Sequence, residues 1–282
     1  MKTLLLSTDF SNAANHAVKY GYQLAQNIRV NVVLCHVFMF PAEVPQGGVI
    51  VWPMDSYSDV LKDNEEQLQR LRDSLQTKDG DFKPAIKLIN EIGLVAEVVK
   101  ETSVSEKADM IVVGTHQDTF SAMFMGNHSK ILIDHLYKPL LLVPPKAKLQ
   151  LPHKIAFASD FKHPDQDLHF ILLLMPFIRK LDAELFITHI EPTDRQDENQ
   201  IWLTQFLKDV GHRSNYPKVF SRLITNDNRA MALEQLCSGP DTDLLVMVHR
   251  QHGFFQELFK GTYTKKTAKN TMVPLLVLHS AE

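Results

Sequence analysis

The sequence predicts an α/β fold made of two tandem doubly wound units, each a five-stranded parallel sheet with helices on both faces. The prediction stands on three grounds. Short apolar runs without polar alternation recur along the chain, as expected of strands covered on both faces. Segments of helical period separate them, which is the pattern of βα units. The whole order of pieces then occurs a second time, so whatever folds the first half folds the second.

The opening strand, Leu4 to Phe10, ends in a small polar residue, Asp and Phe, and Ile155 to Phe161 repeats that ending about 150 positions later. A helix follows each. Ala14, Ala17, Val18, Gly21, Leu24 and Ala25 share one face at helical spacing, with Ser11 placed to cap the helix. Leu168, Ile171, Leu172 and Met175 do the same after Pro164. A second strand ends in His and a β-branched residue in both repeats, at Val33 to Val37 and at Leu185 to Ile190. Ala108 to Val113 then matches Thr242 to Val248, and Lys138 to Val143 matches Val273 to Leu278, both about 135 positions apart. The shorter interval implies an insertion of about 18 residues in the first repeat, and the Pro/Gly-rich stretch 40–59 is its natural place. The expected domains are 1–146 and 152–282, with Pro144 to Leu151 as linker. Each repeat is expected to hold about four helices, the last in the first repeat starting near Lys130, joined by right-handed crossovers.

Composition narrows the function. Among 282 residues, 44% are hydrophobic and 22% charged, as in globular proteins. The 30 Lys and Arg against 33 Asp and Glu leave a net charge of −3, which gives no basic excess for a nucleic-acid partner. The longest apolar run, Phe170 to Ile178, is too short to cross a bilayer, and Met1-Lys2 leads straight into a strand, so no signal peptide or membrane span is expected. Cys35 and Cys237 lie too far apart in sequence to suggest a disulfide framework, which fits a reducing, cytoplasmic setting. No G-x-S-x-G elbow, Walker A loop or paired catalytic carboxylates is present, and catalysis is not expected.

In an open doubly wound sheet, ligands sit beyond the carboxyl ends of the strands where strand order switches. That rule selects Thr8, Asp9 and Phe10, then His36 and Val37, then the loop that starts Gly114-Thr115-His116 and reaches Gly126-Asn127 before a helix. A glycine before a helix lets backbone N–H groups approach an anion closely.

At these residues the chain resembles the universal stress protein family in its tandem form. The resemblance spans nearly the whole sequence: the strand-Asp openings, the His-Val and His-Ile strand ends, Asp-Met-Ile-Val-Val-Gly114, Gly126 before the last helix and the Pro-Leu-Leu strands. It implies two domains of the adenine nucleotide alpha hydrolase-like, flavodoxin-sized fold forming an internal pseudo-dimer, with the strands Leu140 to Val143 and Leu275 to Leu278 paired across it. It also implies ATP or a related adenine nucleotide, with Mg²⁺, held by Asp9, Val37, Val113, Gly114, Gly126 and Asn127 in the first repeat. In the second repeat the corresponding residues are Asp160, Ile190, Gly261 and Thr262. The family's phosphate loop has Gly, two residues, Gly, nine residues, Gly, then Ser or Thr. Here Gln117 replaces the middle glycine and Asn127 the Ser or Thr, while Val248 and Gln251 replace the first two glycines of the second repeat. The second site is therefore expected to be degenerate.

Each of these residues also has a plainer role. Asp9 can cap the turn after its strand. The thirteen histidines, among them His116 with His128 and His249 with His252, lack any metal-binding spacing, and His36 and His189 are expected to hydrogen-bond within the crevice. Met123 to Met125, Phe254, Phe255, Leu258 and Phe259 are expected to pack on the other repeat or a partner, and Lys260, Lys265, Lys266 and Lys269 to form a solvated face. Two functions follow: a stress-response protein binding a nucleotide or protein partner, able to form a homodimer, or an interaction module of the same fold that holds no nucleotide. An adenylyl transferase of the wider superfamily would need catalytic signatures that the sequence lacks.

Overall fold

In the computed structural model, which describes residues 1–39, 54–77, 80–115, 127–193, 198–250 and 273–280, ten strands form one continuous sheet. The first half runs β1 (Thr3–Thr8), α1 (Asn12–Ile28), β2 (Asn31–Phe38), α2 (Met54–Gln76), β3 (Ile86–Ile92), α3 (Val95–Ser105), β4 (Met110–Gly114), α4 (Asn127–His135) and β5 (Leu140–Val143). The second runs β6 (Lys154–Ser159), α5 (Pro164–Leu181), β7 (Glu184–Glu191), α6 (Glu198–Ser214), β8 (Val219–Thr225), α7 (Arg229–Ser238), β9 (Leu244–His249) and β10 (Leu275–His279).

The strand order is β3-β2-β1-β4-β5-β10-β9-β6-β7-β8, which reads as one five-strand order followed by its mirror. All pairs are parallel except the central one. There β5 and β10 run antiparallel, with Leu142 opposite Leu275, Leu141 opposite Leu276 and Leu140 opposite Val277. The pairing implied by the family resemblance is therefore present, and it turns two sheets into one while covering an edge that each would otherwise expose.

Side chains alternate between two buried layers, which explains why the strands read as continuous apolar runs. Leu4, Leu6, Val32, Leu34 and Val112 face α1, and Ile155, Phe157, Leu185 and Ile187 share that layer with α5 and α6. Leu5, Val33, Cys35 and Ile111 face the other way, with Leu132 and Ile133 of α4, Leu136 just after it, and Leu233, Leu236 and Cys237 of α7. On the first face Lys180 Nζ donates to the Ile28 carbonyl at 2.6 Å, placing a cation at the carboxyl end of α1, where the helix dipole favours it.

One expected boundary shifts, and part of the insertion is seen to be helical. The last helix of the first repeat begins at Asn127 rather than near Lys130, because polar residues extend its first turn beyond the apolar stripe that marked it. The insertion is not wholly irregular: residues 54–59 open α2, since the Pro/Gly-rich composition ends at Pro53 and good helix formers follow. The remaining insertion residues up to 53 lie outside the described residues.

Candidate functional site

Each repeat builds the same turn where its first strand meets its first helix. In the first repeat, the Thr8 hydroxyl accepts from the Phe10 N–H at 3.0 Å and the Asp9 carboxylate accepts from the Ser11 N–H at 2.9 Å. Ser11 then caps α1 by accepting from the Ala14 N–H at 3.2 Å. Phe10 has φ 61, a left-handed conformation uncommon for a residue with a side chain. That reversal lays its ring on the His36 imidazole, with centroids 4.2 Å apart. His36 Nδ1 bonds to the Thr8 carbonyl at 2.8 Å, and burial pushes its pKa down, so a neutral ring donates from Nδ1.

The second repeat reproduces this in detail. Ser159 accepts from the Phe161 N–H at 3.0 Å, Asp160 from the Lys162 N–H at 3.2 Å, and Phe161 has φ 53. His189 Nδ1 bonds to the Ser159 carbonyl at 3.2 Å and its ring lies 5.6 Å from Phe161. Burial also lowers the His189 pKa. The strand-Asp-Phe motif is thus a turn device in both repeats, and both histidines take the hydrogen-bonding role expected of them.

The floors of the two crevices differ in charge. Asn15, the fourth helical residue of α1, donates from its amide to the Phe10 carbonyl at 2.9 Å and lies 3.4 Å from the Thr8 hydroxyl. Asp167 holds the same helical place in α5. It is fully buried, takes a hydrogen bond from the Ser159 hydroxyl at 2.7 Å and an ion pair from Arg250 Nη2 at 2.6 Å. Arg250 also reaches Gln166 Oε1 at 3.4 Å. Burial pushes the Asp167 carboxyl up despite Arg250 and Ser159, which pull it down. Beside this pair, Phe161, Trp202 and Phe206 form a cluster with centroids 5.0 to 5.3 Å apart.

Gly114 ends β4 at the first crevice, and its missing side chain has a packing cause. A Cβ there would lie 2.6 Å from the Ala13 carbonyl oxygen and 2.9 Å from Ala14 Cα, both backbone atoms of the first turn of α1. The strand registers place Val248 in the matching position of the second repeat, where it is buried.

Of the residues singled out in the sequence, Asp9 is exposed on the rim of the first crevice, Val37 is buried at the end of β2, and Val113 and Gly114 are half-buried at the end of β4. Asn127 is the first residue of α4. Asp160 sits in the second turn, its carboxylate 3.5 Å from Lys162 Nζ, and Ile190 is buried at the end of β7. Gly126, Gly261 and Thr262 lie outside the described residues, as do His116, His252, the aromatic loop residues and the lysine run, while His128 falls in the first turn of α4. Asp167 and Arg250 were missed by sequence reasoning: the first looks like an ordinary helix-opening acid, the second like a single loop cation, and 83 positions separate them.

Among the described residues, no three His, Cys, Asp or Glu side chains are grouped to hold a metal ion, and no helix is long and apolar enough to cross a membrane. Cys35 and Cys237 are both free and buried.

Comparison with solved structures gives a universal stress protein from Archaeoglobus fulgidus at TM-score 0.69 and 16% identity, covering 99% of this chain and 97% of that one. A universal stress protein from Pseudomonas aeruginosa aligns at TM-score 0.59 and 10% identity over 99% of this chain and 93% of that one. These establish the fold over both repeats. A curated relative, the universal stress protein in QAH/OAS sulfhydrylase 3'region of Thermus aquaticus, is 26% identical over 143 residues, half of this chain and 98% of its own. The universal stress protein family profile matches residues 1–144, and the chain belongs to that family.

Proposed function

We propose that the chain is a stress-response binding protein whose first crevice takes ATP or a related adenine nucleotide, one per chain, and whose second crevice takes none. The domain limits in this reading are 1–146 and 152–282, and two buried free thiols suit a reducing, cytoplasmic setting.

The observation that supports it best is the contrast between the two floors. Thr8 and Asn15 give the first crevice uncharged hydrogen-bonding groups, whereas the second is closed by the Asp167 carboxylate and the Arg250 guanidinium. Among the described residues, no carboxylate takes the Asn15 place in the first. The start of α4 at Asn127 also presents helix N–H groups, a favourable place for an anion. Asp9 would hold the ribose hydroxyls, the backbone at Val37 and Val113 the base, and Gly114, Gly126 and Asn127 the phosphates, with Mg²⁺ accompanying them.

A second reading, an interaction module without nucleotide, draws on the same geometry. Asp9 is engaged by its own turn and Gly114 is accounted for by helix packing, so neither residue requires a ligand. Calorimetric titration with ATP, AMP and Mg²⁺ decides between the two. The nucleotide reading expects a stoichiometry of one and thermal stabilisation that grows as RT ln(1 + [L]/Kd). No heat and no shift at millimolar ATP leave the module.

A further inference from the structure

The second crevice has a chemistry of its own. A carboxylate with no solvent exposure is costly to bury unless it is paired, and Asp167 is paired from two sides by groups on different elements. Ser159, at the end of β6, donates its hydroxyl to one oxygen at 2.7 Å. The other oxygen receives Arg250 Nη2 at 2.6 Å, with Gln166 Oε1 on Arg250 Nε at 3.4 Å. Arg250 is itself 11% exposed at its side chain. Asp160 lies close enough for its charge to act on Asp167 as well. Two acceptors, Asp167 Oδ1 on Nη2 and Gln166 Oε1 on Nε, thus meet the Arg250 guanidinium at two of its donors, and a flat fork of donors is what distinguishes this cation from an ammonium.

We propose that the second crevice is a guanidinium-binding site built on Asp167, with Ser159 and Gln166 as supports, and that Arg250 fills it as a ligand supplied by the chain itself. The ligand class is the opposite of that in the first crevice. An anion entering the second crevice would meet a guanidinium already paired by the Asp167 carboxylate. In the first repeat Asn15 removes the carboxylate, so no such site forms there. The inference holds whether or not the first crevice takes a nucleotide.

Because Arg250 is tethered next to its site, its effective concentration is high. The full-length wild type is therefore expected to show no response to millimolar methylguanidinium, whereas the full-length variant Arg250→Ala loses thermal stability and regains a few degrees of Tm with the same compound. Methylammonium, a cation without the flat fork, restores less. The double variant Asp167→Asn with Arg250→Ala does not respond to either. Equal rescue by both cations, rescue that survives Asp167→Asn, or no rescue of a folded Arg250→Ala protein overturns the proposal. Should Arg250→Ala not fold, NMR of the wild type supplies the test: arrested rotation of the Arg250 guanidinium, seen as separate Nη–H signals, supports the site, and an averaged signal overturns it.

Discussion

Asp109 and Asp243 perform the same act in the two repeats, each clasping the start of the neighbouring strand with one carboxylate oxygen. Asp109 Oδ2 accepts from the Lys2 and Thr3 N–H groups at 2.5 and 3.0 Å, and Asp243 Oδ2 accepts from His153 and Lys154 at 3.0 and 2.9 Å. Each Asp N–H returns a bond to the clasped strand, at Thr3 and Lys154. The clasp ties β4 to β1 and β9 to β6 at the amino ends of the strands, opposite the crevice of each repeat.

Replacing either aspartate by alanine leaves two strand-end N–H groups to water and removes two hydrogen bonds to a charged acceptor. The expected loss is about 1–3 kcal/mol for each, at the lower end because the sites are partly exposed. The two aspartates lie at opposite ends of the β4-β5-β10-β9 ladder, because β9 runs antiparallel to β4, so roughly 14 Å across the strands and about 20 Å along them separate the pair. Their effects should add in a double variant to within about 0.5 kcal/mol. Urea unfolding of the two single variants and the double variant checks both the size and the additivity.

Gly114→Ala separates packing from ligand binding. The added methyl would press on backbone atoms of α1, which cannot move aside as a side-chain tip can, and overpacking of this kind costs about 1–3 kcal/mol. The second repeat has one more residue in its turn: α1 starts after Ser11, two positions past Asp9, and α5 after His163, three past Asp160. Val248→Gly should bring no gain, leaving a cavity and a loss of about 1–3 kcal/mol from the buried site. Chemical denaturation without added ligand reads the packing cost alone.

Much of this architecture was legible because the same physics wrote it twice. Strands buried on both faces give unbroken apolar runs, and the Asp-Phe ending marks a turn that Phe10 and Phe161 complete with the same left-handed backbone. Even the β5–β10 seam followed from two Pro-Leu-Leu segments, although only through family resemblance. Spacing could not tell what a glycine makes room for, and at Gly114 the neighbour is the backbone of α1. Nor could it show that Asp167 turns inward: acids are common in the first turn of a helix for their effect on its dipole, and here burial and Arg250 define the residue instead.

The seam joins the two repeats in one hydrogen-bonded ladder. Leu276 faces Leu141 across the antiparallel pair, and both are almost fully buried. Leu276→Ala is expected to cost about 2–5 kcal/mol. Since the ladder is continuous through this point, the chain should still unfold in one transition, with its midpoint lowered. Two separated transitions, one for each repeat, would contradict the coupling. Circular dichroism and tryptophan fluorescence followed in the same urea series distinguish these outcomes in a Trp52→Phe background, where Trp202 alone reports the second repeat.

His279 gives the fold an acid limit. It ends β10 and bonds through Nε2 to the Ile133 carbonyl of α4 at 2.9 Å. His249 crosses it at 5.8 Å between centroids, and Asp134 stands 3.7 Å from His249. Burial first, then His249, pushes the His279 pKa down from 6.5 to about 4, against the pull of the Ile133 and Lys138 backbone and of Asp134. A folded pKa below the unfolded one means that the unfolded chain binds the extra proton, so this contribution to stability falls as pH drops from about 6.5 towards 4 and is flat above. At ordinary linkage the full loss is about 3 kcal/mol, less where water reaches the ring. Asp167 runs the other way, since its raised carboxyl favours the fold as pH falls, and so cannot be the source of the loss. His279→Gln removes the proton site while keeping a donor for Ile133. Urea unfolding at pH 7, 6 and 5 should show the wild type losing stability faster than this variant, and parallel curves would remove His279 from the acid sensitivity of the fold.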